Sequence, residues 1–363
     1  MISTKLEHKQ KLAKEERAFM IRFDCDYTQS AHPRILERLQ ETAGEQYAGY
    51  SKDEHTEAAR NYIRKACGTP NAEVHILVGG TQANTTIISA ILRPHQGVIA
   101  ADTGHICTHE AGAIEATGHK VIALPGHDGK ITAQQIAVMH DKHWADATHE
   151  HQTQPGLVYI SHPTESGTVY TRAELEAISL ACKERGLPLF LDGARLGYGL
   201  AADTDVTLED IARLCDVFYI GGTKMGALFG EAVVITNESL AKDFRYLIRR
   251  HGGMLAKGFL LGIQFRCLFE DDLYFQLGRH AVEQAMRLRQ AILDVGLPLE
   301  YNTSANQLFP RVPDTLADKL REDFAFAQWA KPNDTHSVIR FCTSWASKPE
   351  DVDALIAAIK ANV

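Results

Sequence analysis

The sequence of 363 residues lacks three features that would place it in a specialised class of protein. No stretch reaches the roughly 18 consecutive apolar residues of a membrane-spanning helix. The seven cysteines occur singly, without a CxxC pair, which argues against a disulfide framework and indicates reduced thiols. The formal net charge is −8, so the chain also lacks the positive excess of proteins that bind nucleic acid or anionic membranes.

The first 20 residues lack the apolar segment of a secretory signal. They are dense in lysine and glutamate, and their acidic residues argue against a mitochondrial transit peptide. We therefore expect a cytoplasmic protein whose partners are neither nucleic acids nor membranes.

What the chain does contain is the composition of an ordinary globular protein, with 45% hydrophobic and 23% charged residues. Short apolar runs alternate with helical patterns, which predicts βαβ units in an α/β fold with a mostly parallel sheet flanked by helices. Seven such runs predict strands at residues 74–78, 97–100, 120–124, 157–160, 187–191, 217–220 and 232–235.

The pattern changes near residue 250, and the length itself allows two or three domains. We expect an N-terminal arm or loop at residues 1–30, with a solvated helix or arm to about residue 18, and a large domain at 31–255. Residues 256–363 would form bridging helices and a smaller α/β domain. The elements predicted there are helices at 259–268, 274–295 and 349–361, and strands at 307–312 and 337–341.

Two of the predicted strands deliver a carboxylate and an amine. The run ending in Leu191 is followed by Asp192, and the run ending in Ile220 leads through Gly221-Gly222-Thr223 to Lys224. Pyridoxal phosphate enzymes need this pair, because a lysine forms a Schiff base with the cofactor aldehyde and a carboxylate keeps the pyridine nitrogen protonated. The pattern therefore predicts pyridoxal 5'-phosphate as the cofactor, with Lys224 and Asp192 as catalytic residues.

A third segment has the character of a phosphate-binding turn. Gly79-Gly80-Thr81-Gln82 follows the first predicted strand of the sheet and opens a helix. Glycines at such a turn let backbone amides approach an anion, and the helix N-terminus adds a favourable dipole. The segment is neither a GxGxxG fingerprint nor a P-loop, so a nucleotide-dependent oxidoreductase is disfavoured. We expect Gly80, Thr81 and Gln82 to bind the cofactor phosphate.

Several blocks together resemble the threonine aldolase family, in the β-eliminating lyase group of fold-type I pyridoxal phosphate enzymes. The similarity runs from about Phe23 to the C-terminus, with the blocks in the family's order. It is more specific for fold and cofactor than for the reaction. The blocks are Gly80-Thr81-Gln82-Ala83-Asn84, His105 followed by Glu110-Ala111-Gly112, Asp192-Gly193-Ala194-Arg195, Lys224 and Gly252-Gly253-Met254.

The resemblance implies roles for individual residues. His105 would stack on the cofactor ring and relay a proton, where the bland alternative is a hydrogen-bonded loop histidine. Arg195 and Arg340 would grip the substrate carboxylate, since two guanidinium groups give planar bidentate recognition. Thr223 corresponds to a small hydroxyl residue on the phosphate. Tyr50 lies in a segment that reaches the neighbouring subunit's site, although it also fits a packed loop aromatic.

The sequence also departs from the family pattern. An arginine that reaches the partner's phosphate is missing after Met254, and Lys257 either supplies that charge or is simply solvated. The family's Asn-Thr-His-Asn-Gly stretch appears as Pro163-Thr164-Glu165-Ser166-Gly167, and a C-terminal histidine appears as Ser344. Asp24 and Asp26 fall near the family's substrate-contacting loop. Because these changes lie on the expected substrate side, they leave the preferred substrate open.

One histidine cluster invites a metal-site interpretation. Its spacing is loose, without cysteines or an HExxH frame, so we predict no metal. Either His149 or His151 could instead approach the substrate hydroxyl. The cluster consists of His140, His143, His149 and His151.

The function that these features favour is cleavage of L-threonine, L-allo-threonine or a related β-hydroxy-α-amino acid to glycine and an aldehyde. The same cofactor and fold also serve β-elimination, racemisation and transamination, and a non-catalytic protein could retain the scaffold. The resemblance further implies a homodimer or homotetramer with sites at subunit interfaces. A small amino acid is the expected substrate.

Overall fold

The computed structural model describes residues 20–363, so the predicted arm up to residue 18 lies outside the described residues. In chain order the strands are β1 (Ile21–Arg22), β2 (Glu73–Leu77), β3 (Gln96–Ala101), β4 (Val121–Leu124), β5 (Gln154–Ser161), β6 (Leu189–Asp192), β7 (Val217–Gly221), β8 (Glu231–Ile235), β9 (Gln307–Leu308), β10 (Arg311–Pro313), β11 (Phe324–Ala325), β12 (Ala327–Ala330) and β13 (His336–Cys342). The α-helices are Pro33–Glu41, Glu54–Ala66, Gly80–Ile91, His105–Thr108, Ala133–Ala145, Arg172–Glu184, Leu196–Ala201, Leu208–Leu214, Phe244–Arg250, Phe259–Glu270, Leu273–Asp294, Asp314–Leu320 and Pro349–Asn362. Short 3₁₀ helices cover Glu115–Thr117, His149–His151 and Glu238–Leu240.

The large sheet has seven strands in the order β2-β8-β7-β6-β5-β3-β4. Strand β8 runs antiparallel to both of its neighbours, and the other strands are parallel to one another. The predicted fold class, an α/β protein with a mostly parallel sheet flanked by helices, is therefore confirmed. Sequence patterning succeeds here because strands covered on both faces appear as continuous apolar runs.

Successive residues of each strand serve opposite faces of this sheet. On β5, Val158 and Ile160 join one buried cluster, and Leu157 and Tyr159 join the other. This alternation follows from the two-residue period of a strand. Burial of each such side chain stabilises the fold by about 1.5–3 kcal/mol. The sheet is thus held rigidly from both sides, and its strand ends are fixed in space.

The C-terminal region has a separate antiparallel sheet in the order β10-β13-β12, with β9 also pairing with β13. The single strand predicted at residues 307–312 is two strands, because Pro310 between them has no N–H to continue a ladder. Sequence patterning also missed β11 and β12, which are short and only partly buried.

A third buried cluster forms the core of this region. Phe23 belongs to it and packs against Phe341 with ring centroids 6.3 Å apart, while β1 pairs in parallel with β11. The segment assigned to an N-terminal arm or loop therefore contributes to the C-terminal core. The long helix Leu273–Asp294 supplies Leu277 to the large-domain core and Leu288 to this one. The division at residues 30 and 255 stays a prediction.

No helix within residues 20–363 is both long enough and apolar enough to cross a membrane.

Candidate active site

A cavity of about 320 Å³ lies at one edge of the large sheet, where the parallel strands end. An adjoining cavity of about 500 Å³ shares His105, Arg195 and Lys224 with it and adds Arg340. The structure thus brings most of the predicted site residues together. Those that line the first cavity are Gly80, Thr81, His105, Asp192, Arg195, Thr223 and Lys224.

Asp192 is the last residue of β6, and four donors fix its carboxylate. The phenol hydroxyls of Tyr219 and Tyr159 donate to it at 2.5 and 2.6 Å. The backbone N–H of Ala194 donates at 3.0 Å, and Asn84 Nδ2 donates at 3.2 Å. Asp192 is only 4% exposed, yet it lines the cavity. Because these four hydrogen bonds hold its carboxylate in place, the carboxylate is preorganised for a positively charged partner.

Lys224 follows β7 at the end of the Gly221-Gly222-Thr223 turn. The hydroxyl of Tyr198 donates to the Lys224 carbonyl at 2.5 Å and holds the backbone in place. Burial, together with the nearby guanidinium of Arg195, lowers the pKa of Lys224. A lowered pKa favours the neutral amine, which is the form that reacts with an aldehyde.

His105 is oriented by the buried carboxylate of Glu110, a residue for which the sequence alone indicated no role. Its Nδ1 lies 2.8 Å from Glu110 Oε1, which also accepts from Asn84 Nδ2 at 2.6 Å. A carboxylate only accepts, so Nδ1 carries the hydrogen and Nε2 is left as the basic nitrogen. Burial opposes the charged ring, but the Glu110 hydrogen bond and the charge of Asp192 raise the pKa of His105 overall.

Arg195 is already partnered within the chain. Its Nε and Nη2 donate to the two carboxylate oxygens of Asp26 at 2.7 and 3.0 Å. Asn306 Nδ2 also donates to Asp26, at 2.9 Å. Burial raises the pKa of Asp26, but Arg195 and Lys224 outweigh it and lower that pKa. Breaking such a buried pair costs about 3–5 kcal/mol, so Arg195 can offer a ligand only its remaining N–H groups.

Arg340 is the less committed of the two arginines. Its Nη2 donates to the Asp24 carbonyl at 2.9 Å, and its guanidinium lies 5.6 Å from the ring centroid of Trp329. Within the described residues, that single hydrogen bond uses one of its five N–H groups. Arg340 therefore has the larger capacity for an anionic group in the second cavity.

The helix Gly80–Ile91 begins at the cavity without a side-chain cap. Its first-turn N–H groups have no partner within the helix, which suits an anion. The Gln82 side chain does not line the cavity. It instead accepts from Val78 N–H and donates to the His251 carbonyl, both at 3.1 Å, and so ties the Gly252-Gly253 segment to the turn.

Besides Gln82, two predicted residues lie outside both cavities. Tyr50 is 44% exposed and lines a separate surface cavity with Arg249 and Met254. Lys257 is exposed. Their predicted roles concern a neighbouring subunit, and those roles stay predictions.

The histidine cluster packs around an aromatic side chain. The rings of His143 and His149 lie 5.3 and 5.0 Å from that of Trp144. Neither His149 nor His151 lines the two cavities described above. Within residues 20–363, no three histidine, cysteine or acidic side chains are placed to hold a metal ion.

Sequence reasoning missed several residues of the site. Glu165 accepts from the His105 N–H at 2.9 Å and from Ser161 Oγ at 2.7 Å, and burial raises its pKa. Glu231 is the first residue of β8, and because that strand is antiparallel its beginning lies where the parallel strands end. Strand direction was the signal that the sequence alone did not provide.

Similarity to known proteins agrees with this geometry. The family model for β-eliminating lyases matches residues 28–315. A low specificity L-threonine aldolase from a Pseudomonas species is 32% identical over 318 residues, which are 86% of this chain and 89% of that enzyme. The solved structure of a Leishmania major threonine aldolase has a TM-score of 0.91 and is 44% identical, covering 94% of this chain and 99% of that one.

A more distant structure, the aspartate aminotransferase from Thermus thermophilus, is 14% identical with a TM-score of 0.68 over 98% of this chain and 95% of its own, and so shares the fold alone. The fold is that of the fold-type I pyridoxal phosphate enzymes. The chain belongs to the β-eliminating lyase family, and within it to the threonine aldolases.

Proposed function

We propose that the chain cleaves the Cα–Cβ bond of L-threonine, L-allo-threonine or a related β-hydroxy-α-amino acid, giving glycine and an aldehyde. The observation that carries the proposal is the placement of Asp192 and Lys224 at adjacent strand ends in one cavity. The activity named for the Pseudomonas and Leishmania relatives supports it.

The residues of the cavity fit pyridoxal phosphate. The uncapped first turn at Gly80 and Thr81 offers N–H donors to a phosphate, and Thr223 lines the same cavity. Lys224 provides an amine with a lowered pKa for the aldehyde, and Asp192 a fixed carboxylate for the ring nitrogen. When bound, the cofactor supplies an electron sink for the bond that breaks.

The substrate groups have matching partners in the second cavity. Arg340, assisted by the remaining N–H groups of Arg195, holds the α-carboxylate. His105 Nε2 takes the proton of the β-hydroxyl, because its Nδ1 is bound to Glu110. Loss of that proton turns the β-carbon oxygen into a carbonyl as the Cα–Cβ bond breaks.

A panel of β-hydroxy amino acids with product identification tests the proposal. Purified enzyme should release glycine and an aldehyde, and the Lys224→Ala variant should be inactive. Pyruvate with ammonia, a keto acid, or the opposite enantiomer as the product would instead indicate β-elimination, transamination or racemisation. If the purified protein lacks a chromophore that borohydride can reduce, the result would favour a non-catalytic protein.

We also propose a homo-oligomer in which Tyr50 and Lys257 of one chain complete the site of another. Their exposure on the single chain and their absence from the two cavities of its candidate active site support this arrangement.

A further inference from the structure

Glu231 is a buried acid that faces the cavity beside Lys224, and none of the roles described above uses it. It is 4% exposed and lines the cavity of about 320 Å³. Its Oε2 accepts from the Gly222 N–H at 3.3 Å, and its Oε1 lies 2.9 Å from Thr223 Oγ1. A buried carboxyl costs free energy unless its environment compensates it, so its position calls for a physical reason.

Thr223 has a limited set of hydrogen bonds to share. Its hydroxyl has one hydrogen to donate and two lone pairs with which to accept. The Gly230 N–H uses one lone pair, donating at 3.1 Å, and the Gly230 carbonyl is a poor acceptor at 3.5 Å. The hydroxyl hydrogen therefore goes either to Glu231 or into the cavity.

The protonation of Glu231 decides between these two directions. As a carboxylate, Glu231 can only accept, and it takes the Thr223 hydrogen. As a neutral acid, it can donate to the free lone pair of Thr223, so that the Thr223 hydrogen points into the cavity.

We propose that Glu231 is a positioning residue for cofactor binding, an inference that rests on the proposed function. As a neutral acid, Glu231 directs the Thr223 hydroxyl toward the phosphate group. The step transfers no electrons and breaks no bond other than the O–H bond of Glu231 when it ionises. A phosphate in the cavity favours the neutral form of Glu231 for two reasons. The phosphate gains the Thr223 hydroxyl as a hydrogen-bond donor, and it avoids the negative charge of an ionised Glu231.

The surroundings of Glu231 support a neutral form near neutral pH. Burial raises the pKa of Glu231 to about 8, the charge of Asp192 acts in the same direction, and Lys224 and the Thr223 hydrogen bond oppose it. The charges of Arg195 and Asp26 also act on Lys224, with Arg195 lowering its pKa and Asp26 raising it. The charge of Glu231 in turn raises the pKa of the Tyr219 and Tyr274 phenols.

The test measures the affinity of the cofactor-free enzyme for pyridoxine 5'-phosphate from pH 6.5 to 9.5. This probe carries the phosphate but has no aldehyde, so it forms no bond with Lys224. The wild-type Kd should rise above about pH 8, by up to tenfold per pH unit, as Glu231 loses its proton.

Glu231→Gln is the decisive variant, because its amide oxygen can accept from Gly222 while its amide nitrogen donates permanently to Thr223. It should keep the low-pH wild-type Kd at every pH. Glu231→Asp should retain the alkaline weakening. Glu209→Gln, which alters an exposed carboxyl outside both cavities, should follow the wild-type curve.

Identical pH profiles for the wild type and Glu231→Gln would overturn the inference, as would an alkaline weakening that Glu209→Gln also abolishes. If Glu231→Gln does not fold, Thr223→Val provides a second test. A chain without the hydroxyl should bind more weakly below pH 8 and show a smaller alkaline rise in Kd, because only the repulsion between the Glu231 carboxylate and the phosphate remains. The proposed function is tested separately. A wild type that cleaves threonine but shows no such difference refutes only the inference, whereas one that binds no pyridoxine 5'-phosphate at any pH refutes both.

Discussion

Asp192 and His105 show how single residues are prepared for charge at this site. Asp192 is fixed by two phenols from strands β5 and β7, and His105 by the buried carboxylate of Glu110. Asn84 donates to both acids and links the two groups. The substitutions Asp192→Asn and Glu110→Gln therefore keep the shape of each acid and remove its charge.

Asp192→Asn should keep the fold and lower kcat by about 10²- to 10³-fold, the loss typical of removing one preorganised electrostatic group. The amide cannot hold the ring nitrogen protonated. Steady-state kinetics with threonine measure the effect, and the thermal unfolding midpoint serves as the control. A variant with wild-type kcat would refute the role of Asp192.

Glu110→Gln should shift the acidic limb of the pH–rate profile to lower pH. The Glu110 carboxylate raises the pKa of His105, so the wild-type base is lost as pH falls through that raised pKa. Removing the charge lowers the pKa, and the neutral base then persists at lower pH. An unchanged acidic limb would show that His105 is not the base.

At the scale of elements, the turn before the helix Gly80–Ile91 depends on a tether. Gln82 links Val78 to the His251 carbonyl, and Gly253 packs directly against its side chain. Sequence patterning located this helix, but it could not show that the Gln82 side chain faces away from the cavity. That outcome depends on a contact between residues 169 positions apart.

Gln82→Ala should lower the free energy of unfolding by about 1–2 kcal/mol, because two backbone groups lose their partners. It should also weaken cofactor binding by loosening the turn. The matched control is Thr85→Ala on the same helix, whose hydroxyl bonds only within that helix and whose loss should cost about 0.5 kcal/mol or less. Chemical denaturation measures both variants, and equal losses would contradict the tether.

At the scale of the whole molecule, the strand series predicted the large sheet, and the Asp192–Lys224 pair pointed to one edge of it. Two parts of the site were beyond sequence reasoning. The Asp26–Arg195 pair joins residues 169 positions apart, and Glu231 reaches the cavity only because β8 is antiparallel. Contacts between distant segments and strand direction are products of the assembled fold.

The proposed homo-oligomer predicts complementation between two inactive chains. Lys224→Ala and a Tyr50→Ala, Lys257→Ala double variant should each be inactive alone. Random mixing into dimers should restore about a quarter of the sites, because half of the dimers are mixed and each holds one intact site. Refolding the two chains together and assaying threonine cleavage measures this. Absence of recovery, with mixed dimers present, would place both residues outside the partner's site.

We propose that Lys224 is the amine to which pyridoxal phosphate attaches, and the other assigned roles depend on this attachment. Borohydride reduction of the purified holoenzyme, followed by peptide mass mapping, tests it most directly. We predict one modified peptide per chain, carrying the cofactor on Lys224, and none in the Lys224→Ala variant. A cofactor found on another lysine, such as Lys257, would contradict the assignment.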